Sequence, residues 1–241
     1  MISKSQIRRV RQLEQKKHRQ REALFVAEGP KVVGDMLRAG WQPVEVFATS
    51  PLEAVPSPTL VTPDELSRLS FLQHPQQVLA LFPLPANLPH MPDATALTLA
   101  LDGVQDPGNL GTIIRIADWF AIDTIYCSPD TVDAFSPKVV QATMGSIARV
   151  NMVYTPLQPL LSQATVPVYG TLLDGRNIYT EKLTTSGIIV MGNEGRGITQ
   201  PIRQLVGHPL LIPTFRQGDS ADSLNVATAT AITLSEFRRR G

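Results

Sequence analysis

The chain has 241 residues, 43% of them hydrophobic and 18% charged, with a formal net charge of +1. That much apolar material supports a packed core in one large or two small domains and argues against a disordered chain. A single cysteine, Cys127, excludes an internal disulfide framework or a cysteine-based zinc site, and no apolar run reaches the roughly 18 residues of a membrane helix. The basic N-terminus has no apolar stretch behind it and does not read as a secretory signal, so a cytoplasmic protein is expected.

Residues 3–20 carry Ile7, Val10 and Leu13 at helical spacing among basic side chains, which predicts one amphipathic helix. Residues 1–31 hold nine lysines and arginines against three glutamates, a net +6, which leaves −5 for the rest of the chain. Such asymmetry suits a phosphate-binding arm, with Arg8, Arg9, Lys16, Lys17 and Lys31 as candidate contacts; a solvated basic helix is the alternative. Residues 23–27 read as a buried strand, and Glu28-Gly29-Pro30 turns the chain into a helix over 31–39 that Gly40 ends. A strand follows at 44–48, a helix opens at Thr62-Pro63-Asp64-Glu65, and a third strand spans 78–82. Residues 1–82 thus form a small alternating α/β unit. Four prolines between positions 83 and 92 mark 83–94 as an extended linker.

Alternation resumes over 95–241. Strands are expected at 96–101, 124–128, 168–173, 188–191 and 210–212, and helices at 109–120, 137–147 and 222–237. The continuous apolar strands at 168–173 and 188–191 should be buried on both faces. The last helix, rich in Ala, Thr, Leu and Val, should pack into a core or a dimer interface.

Three loops carry polar residues beyond strand ends, where ligands collect in α/β sheets. In the first, Asp106-Pro107-Gly108 turns the chain, Asn109 is read as a helix cap, and Arg115 lies in the second turn, able to sit beside a phosphate. The second, Gly192-Asn193-Glu194-Gly195-Arg196-Gly197, is glycine-rich, so its amides are expected to face a ligand, with a carboxylate in their midst. Its spacing is neither the dinucleotide fingerprint nor a P-loop, which disfavours a nucleotide-dependent oxidoreductase. In the third, Ile212-Pro213 leads through a polar loop to Ser223-Leu224-Asn225, where Asp222 or Ser223 could serve as a helix cap.

Taken in order, Asn109…Gly111…Arg115, Gly192-Asn-Glu194-Gly195, and Ile212-Pro213…Ser223-Leu224-Asn225 resemble the three signature motifs of the SpoU (TrmH-like) family of SPOUT methyltransferases. The similarity covers about residues 95–239 and includes Ala142-Thr-Met-Gly-Ser146. Residues 24–31 resemble the substrate-binding domain often attached to that family, itself similar to RNA-binding ribosomal proteins. The loop at 214–222 is longer and more polar than the family's commonest third motif.

The resemblance implies an α/β SPOUT domain with a C-terminal deep trefoil knot, preceded by a small α/β RNA-binding domain, in a homodimer whose active sites draw on both subunits. It implies transfer of a methyl group from S-adenosylmethionine to a ribose 2′-hydroxyl of structured RNA, leaning toward ribosomal over transfer RNA. Thr171, Gly192, Ile212 and Leu224 would form the cofactor wall. Arg115 would be the central catalytic residue, oriented with the ribose by Asn109, Glu194, Ser223 and Asn225. An arginine is effectively always protonated, so a cation that binds phosphate and stabilises the forming alkoxide fits better than a base. No metal is expected, since His18, His74, His90 and His208 show no ligand spacing. The alternative from another class is a non-catalytic RNA-binding or ribosome-assembly protein on the same scaffold.

Overall fold

The computed structural model describes residues 2–53, 55, 57–218 and 221–240, with Arg240 described by its backbone alone. In chain order the elements are α1 (Lys4–Gln12), α2 (Lys16–Glu22), β1 (Leu24–Glu28), α3 (Pro30–Arg38), β2 (Glu45–Ala48), β3 (Thr59–Leu60), α4 (Pro63–Leu69) and β4 (Val78–Pro83). There follow β5 (Leu97–Asp102), α5 (Pro107–Trp119), β6 (Thr124–Cys127), α6 (Pro137–Ala142), a 3-10 turn at Ser146–Ala148, β7 (Asn151–Tyr154) and α7 (Leu157–Ser162). The last are β8 (Val168–Asn177), β9 (Gly187–Gly192), α8 (Gln200–Arg203), β10 (His208–Leu211) and α9 (Val226–Arg240). Two compact units result. One takes the chain up to Ala86 together with Asp133–Arg149; the other takes Asn87–Val132 and everything from Val150 onward.

The first unit is built on the sheet β1-β4-β2-β3, antiparallel except for β2 with β3. Both β1 and β4 are apolar and buried along nearly their whole length, and Leu24, Val26, Leu79 and Leu81 pack with Val10 and Leu13 below them. Thr62 and Glu65 close a reciprocal capping box on α4, as the Thr-Pro-Asp-Glu signal predicts. The single helix expected over 3–20 is instead two, α1 and α2. Arg19, buried, donates to the carbonyls of Leu13 and Glu14 at 2.7 Å each, so the carbonyls freed at the end of α1 are met by a side chain and not by another helical turn.

The helix expected over 137–147 also breaks, after Ala142. Met144 and Gly145 take positive φ values of 53° and 100°. A side chain at Gly145 would collide with the carboxylate of Asp35, so only glycine lets the turn close on α3. Lys31 fastens the same turn, donating to Asp35 at 2.9 Å and to the Met144 carbonyl at 3.0 Å. Phe135 packs on Phe25 of β1 with ring centroids 4.9 Å apart.

The second unit is the six-stranded sheet β10-β8-β9-β5-β6-β7, parallel throughout. The central strands β5 and β9 are buried at every residue, as continuous apolar strands between helical layers must be. Short β7, α7 and α8 carry weak periodic signals and were not expected from the sequence. The expectation for 168–173 holds only in part: β8 is buried from Val168 to Gly170, and Leu173 is 72% exposed. The reason is a register shift in its pairing with β10, where Pro209 faces Gly170 but Leu210 faces Arg176. Residues 171–175 therefore leave the ladder and carry the far end of β8 beyond β9.

Helix α9 packs along α5. Near their starts the side chain of Asn225 meets that of Asn109, and near their ends Arg238 donates to the carbonyls of Phe120 and Ala121 at 2.8 Å each. The two helices thus run parallel, with a cation on the carbonyl end of α5. Val226, Ala227, Thr230, Thr233, Leu234 and Phe237 are buried, while Thr228 and Ser235 face outward.

Candidate active site

Strands β5 and β9 are neighbours, and their last residues, Asp102 and Gly192, are register partners. The loops that follow leave the sheet side by side and are stitched together. Asn193 donates through Nδ2 to the Gly103 carbonyl at 2.6 Å, and the Thr199 amide donates to Asp102 at 2.7 Å.

The glycine-rich loop does not point its amides at a ligand, contrary to expectation. The amides of Gly195 and Arg196 donate to Asn193 Oδ1 at 2.9 and 3.0 Å, and Asn193 and Gly197 exchange both backbone hydrogen bonds. The Glu194 amide bonds its own carboxylate. Glycine is needed at 192 because a side chain there would run into the backbone of Gly197 and Ile198. A branched side chain at 192 would therefore disturb the turn itself. Gly192→Ala is expected to cost about 1–3 kcal/mol by overpacking, seen as a lower urea midpoint. An unchanged midpoint would show that the loop opens to seat a methyl group.

What the closed loop presents is Glu194. Its carboxylate accepts from the amides of Gln105 and Asp106 at 3.2 and 3.1 Å and from Asn109 Nδ2 at 3.0 Å. Burial pushes this carboxyl up; the bonds from Asn109, its own amide, Asp106 and Gln105 outweigh that and hold it below the usual carboxylate range.

Asn109 is not the cap of α5. Asp106 is: its side chain accepts from the Asn109 amide at 2.8 Å, with Pro107 in the first turn. Proline at the first helical position, preceded by aspartate, was the available signal. Freed from capping, the Asn109 amide group donates to Glu194 and accepts from Asn225 Nδ2 at 2.8 Å. Nor is the start of α9 capped by Asp222 or Ser223. Asn225 caps it, its Oδ1 accepting from the amides of Ala227 and Thr228 at 2.9 and 3.2 Å. One chain of hydrogen bonds, Glu194–Asn109–Asn225, therefore joins the three loops. Asp102, Asp106 and Asn193, which sequence reasoning did not single out, hold that chain's supports.

Arg115 projects from α5 four residues after Gly111, leaning back toward the helix start as long side chains do. It is exposed and has no hydrogen bond or ion pair among the described residues. Thr171 is half-buried, its hydroxyl 3.6 Å from the Met191 sulfur. Ile212 is half-buried beyond the last rung of β10, and its amide and carbonyl have no partner among the described residues. Leu224 is 49% exposed, and Ser223 is exposed without a hydrogen bond among the described residues. Of the 214–222 loop, Asp219 and Ser220 lie outside the described residues.

The basic candidates lie in the first unit. Arg9 pairs with Glu22 and Glu45, and Lys31 is held as described above. Arg8 and Lys17 are exposed and make no ion pair or hydrogen bond among the described residues; Lys16 is exposed.

A parallel α/β sheet whose carboxyl edge gathers Glu194, Asn109 and Asn225, with Arg115 exposed on the helix that opens at Asp106 and unpaired among the described residues, defines the class. Residues 96–235 match the SpoU rRNA Methylase family, and residues 4–80 match the MRM3-like substrate binding domain. The chain belongs to the SpoU rRNA methylase family. It is similar to the Bacillus subtilis (strain 168) 23S rRNA (guanosine(2553)-2'-O)-methyltransferase RlmP, with 31% identity covering 95% of this chain and 94% of that protein. Among solved structures, it resembles a protein assigned to the TrmH family of RNA methyltransferases from Porphyromonas gingivalis, with 42% identity, a TM-score of 0.91 and 100% of both chains covered. It also resembles an AdoMet-bound rRNA methyltransferase from Sinorhizobium meliloti, with 32% identity, a TM-score of 0.88, and 99% of this chain and 97% of that chain covered.

Proposed function

We propose that this chain methylates a ribose 2′-hydroxyl of ribosomal RNA with S-adenosylmethionine as donor. The observation that carries the reading is the hydrogen-bond chain Glu194–Asn109–Asn225, together with Arg115, exposed on the same helix as Asn109 and unpaired among the described residues. Relatives over nearly the full length act on 23S rRNA or are rRNA methyltransferases by name, which supports ribosomal over transfer RNA.

The residues present fit S-adenosylmethionine. Ile212 offers a half-buried amide and carbonyl without partners among the described residues, suited to adenine edges, and Leu224 offers an apolar surface for the ring. Thr171 and Gly192 complete the proposed wall. Bound there, the group supplies an electrophilic methyl on a sulfonium. Arg115 stays cationic, binds a substrate phosphate and stabilises charge on the attacking 2′-oxygen, whose proton leaves to solvent. Asn109, Glu194, Asn225 and Ser223 orient Arg115 and the ribose. The reading uses no metal.

Residues 1–82 serve in this reading as the RNA-binding domain, 83–94 as linker and 95–241 as the methyltransferase domain with a trefoil knot at its C-terminal end. Arg8, Arg9, Lys16, Lys17 and Lys31 contact phosphate, with Arg8 and Lys17 the most available. The chain acts as a cytoplasmic homodimer; Trp119 on α5, 84% exposed, supports a partner surface on that helix. No helix among the described residues is long and apolar enough to cross a membrane.

The test is methyl transfer from labelled S-adenosylmethionine to transcribed 23S rRNA, 16S rRNA and a tRNA pool, with the modified ribose mapped by primer extension. Label at one 23S ribose is expected. Label confined to tRNA would overturn the substrate, and rRNA binding without cofactor binding would favour the assembly protein.

A further inference from the structure

Phe215 is 85% exposed, the most exposed large aromatic among the described residues, with Trp119 next at 84%. It is not isolated. Its ring stacks on that of Tyr179, with centroids 6.5 Å apart and planes 28° from parallel. Tyr179 stands on a firm base. Ile178 beside it is fully buried and donates its amide to the Leu211 carbonyl at 2.9 Å, and the Tyr179 amide itself donates to Asn177 Oδ1 at 3.0 Å. The pair thus crowns the end of the β8–β10 rung, on the carboxyl edge of the sheet.

Two arginines lie next to the pair in the chain. Arg216 follows Phe215, is exposed, and its guanidinium has no partner among the described residues. Arg176, also exposed, holds among the described residues a long ion pair to Glu181 at 3.6 Å. Stacked rings offered to solvent beside guanidinium groups are how proteins hold unpaired bases: the ring takes the base's face and the cation takes its phosphate. The segment from 212 to 225 also ties this pair to the candidate site, since Ile212 lies three residues before Phe215 and Asn225 closes the hydrogen-bond chain ten residues after it.

We propose that Phe215 and Tyr179 form a stacking platform for an unpaired base of the RNA substrate next to the methylated nucleotide. The proposal rests on the methyltransferase reading and adds to it a preference for a target ribose in unpaired RNA. Because Phe215 is exposed, its replacement leaves the fold intact.

The experiment compares the full-length parent with Phe215→Leu, which keeps apolar bulk without a ring, and Phe215→Trp, which keeps a ring. With a 23S rRNA transcript, Phe215→Leu is expected to raise the RNA KM roughly ten- to hundredfold. Its kcat and its S-adenosylmethionine affinity should stay within twofold of the parent's, and Phe215→Trp should restore the KM. An unchanged KM in Phe215→Leu would overturn the platform. So would a KM change accompanied by a lower sedimentation coefficient, which would make the pair a contact between two copies of the chain. If the parent transfers no methyl group at all, the activity reading fails, and binding of a uridine decamer decides the platform separately. Weaker decamer binding by Phe215→Leu, with duplex RNA unaffected, supports it, and equal decamer binding overturns it.

Discussion

Arg115→Ala is expected to cut methyl transfer by roughly a hundred- to thousandfold, the usual cost of removing one preorganised donor to a developing oxyanion. S-adenosylmethionine affinity should remain within a few-fold of the parent's, because the proposed cofactor wall lies on β8, on β9 and in the crossover after β10, while Arg115 lies on α5. Stability should hardly change, since the exposed side chain has no partner among the described residues to lose. Arg115→Lys separates shape from charge. Lysine keeps the cation but presents a compact ammonium where arginine presents a planar fork of five donors, so most of the activity should still be lost. Steady-state rates on transcribed rRNA and calorimetry with S-adenosylmethionine check both variants. Near-normal turnover in the lysine variant would show that charge alone suffices and that the fork has no geometric role.

The elements with strong local chemistry were legible in the sequence. Thr62 and Glu65 announce their capping box, the apolar runs at 78–82 and 188–191 are buried strands, and the prolines after position 83 end regular structure as proline must. Failures came where distant residues decide. Helix α1 gives way to α2 where Arg19 takes the carbonyls of Leu13 and Glu14 just past its end, and 137–147 breaks because Gly145 must clear Asp35, a residue 110 positions earlier. Local periodicity contains neither fact.

The same division runs through the site. The residue types at 109, 194 and 225 stood out beside motif resemblance, but their connection spans 85 and 116 residues and exists only once β5 and β9 are paired and α9 lies along α5. The glycine-rich loop departs from its sequence pattern for a related reason. Its glycines suggested free amides, yet the side chain of Asn193 consumes two of them, and which amides a side chain captures depends on how the turn closes. That closure leaves Glu194 as the only ionised group of the turn that faces Asn109.

Glu194→Gln tests whether that carboxylate organises the site. The carboxylate presents acceptors on both oxygens, one toward Gln105 and one toward Asp106 and Asn109. A glutamine must turn an NH2 group toward one of these sets, so a donor faces a donor and a bond is lost. The net cost of such a bond is about 1 kcal/mol, which for a chain of this size lowers Tm by about 2–4 °C at pH 7. Catalysis should suffer more, by roughly a hundredfold, because in the proposed site Asn109 orients the ribose and Arg115 and is loosened with Glu194. The pH dependence has a definite sign. Hydrogen bonds hold the folded Glu194 carboxyl below its ordinary value despite burial, so its contribution to stability is complete above the unfolded carboxyl pKa of about 4.3 and disappears as pH falls through the lower folded value. The Tm difference between parent and Glu194→Gln should therefore be constant from pH 7 to about 5 and shrink below about pH 4. Thermal scans across that range, paired with methyl-transfer rates at pH 7, decide the matter: a gap that persists undiminished at low pH would mean that shape, and not the ionised carboxylate, holds the three loops together.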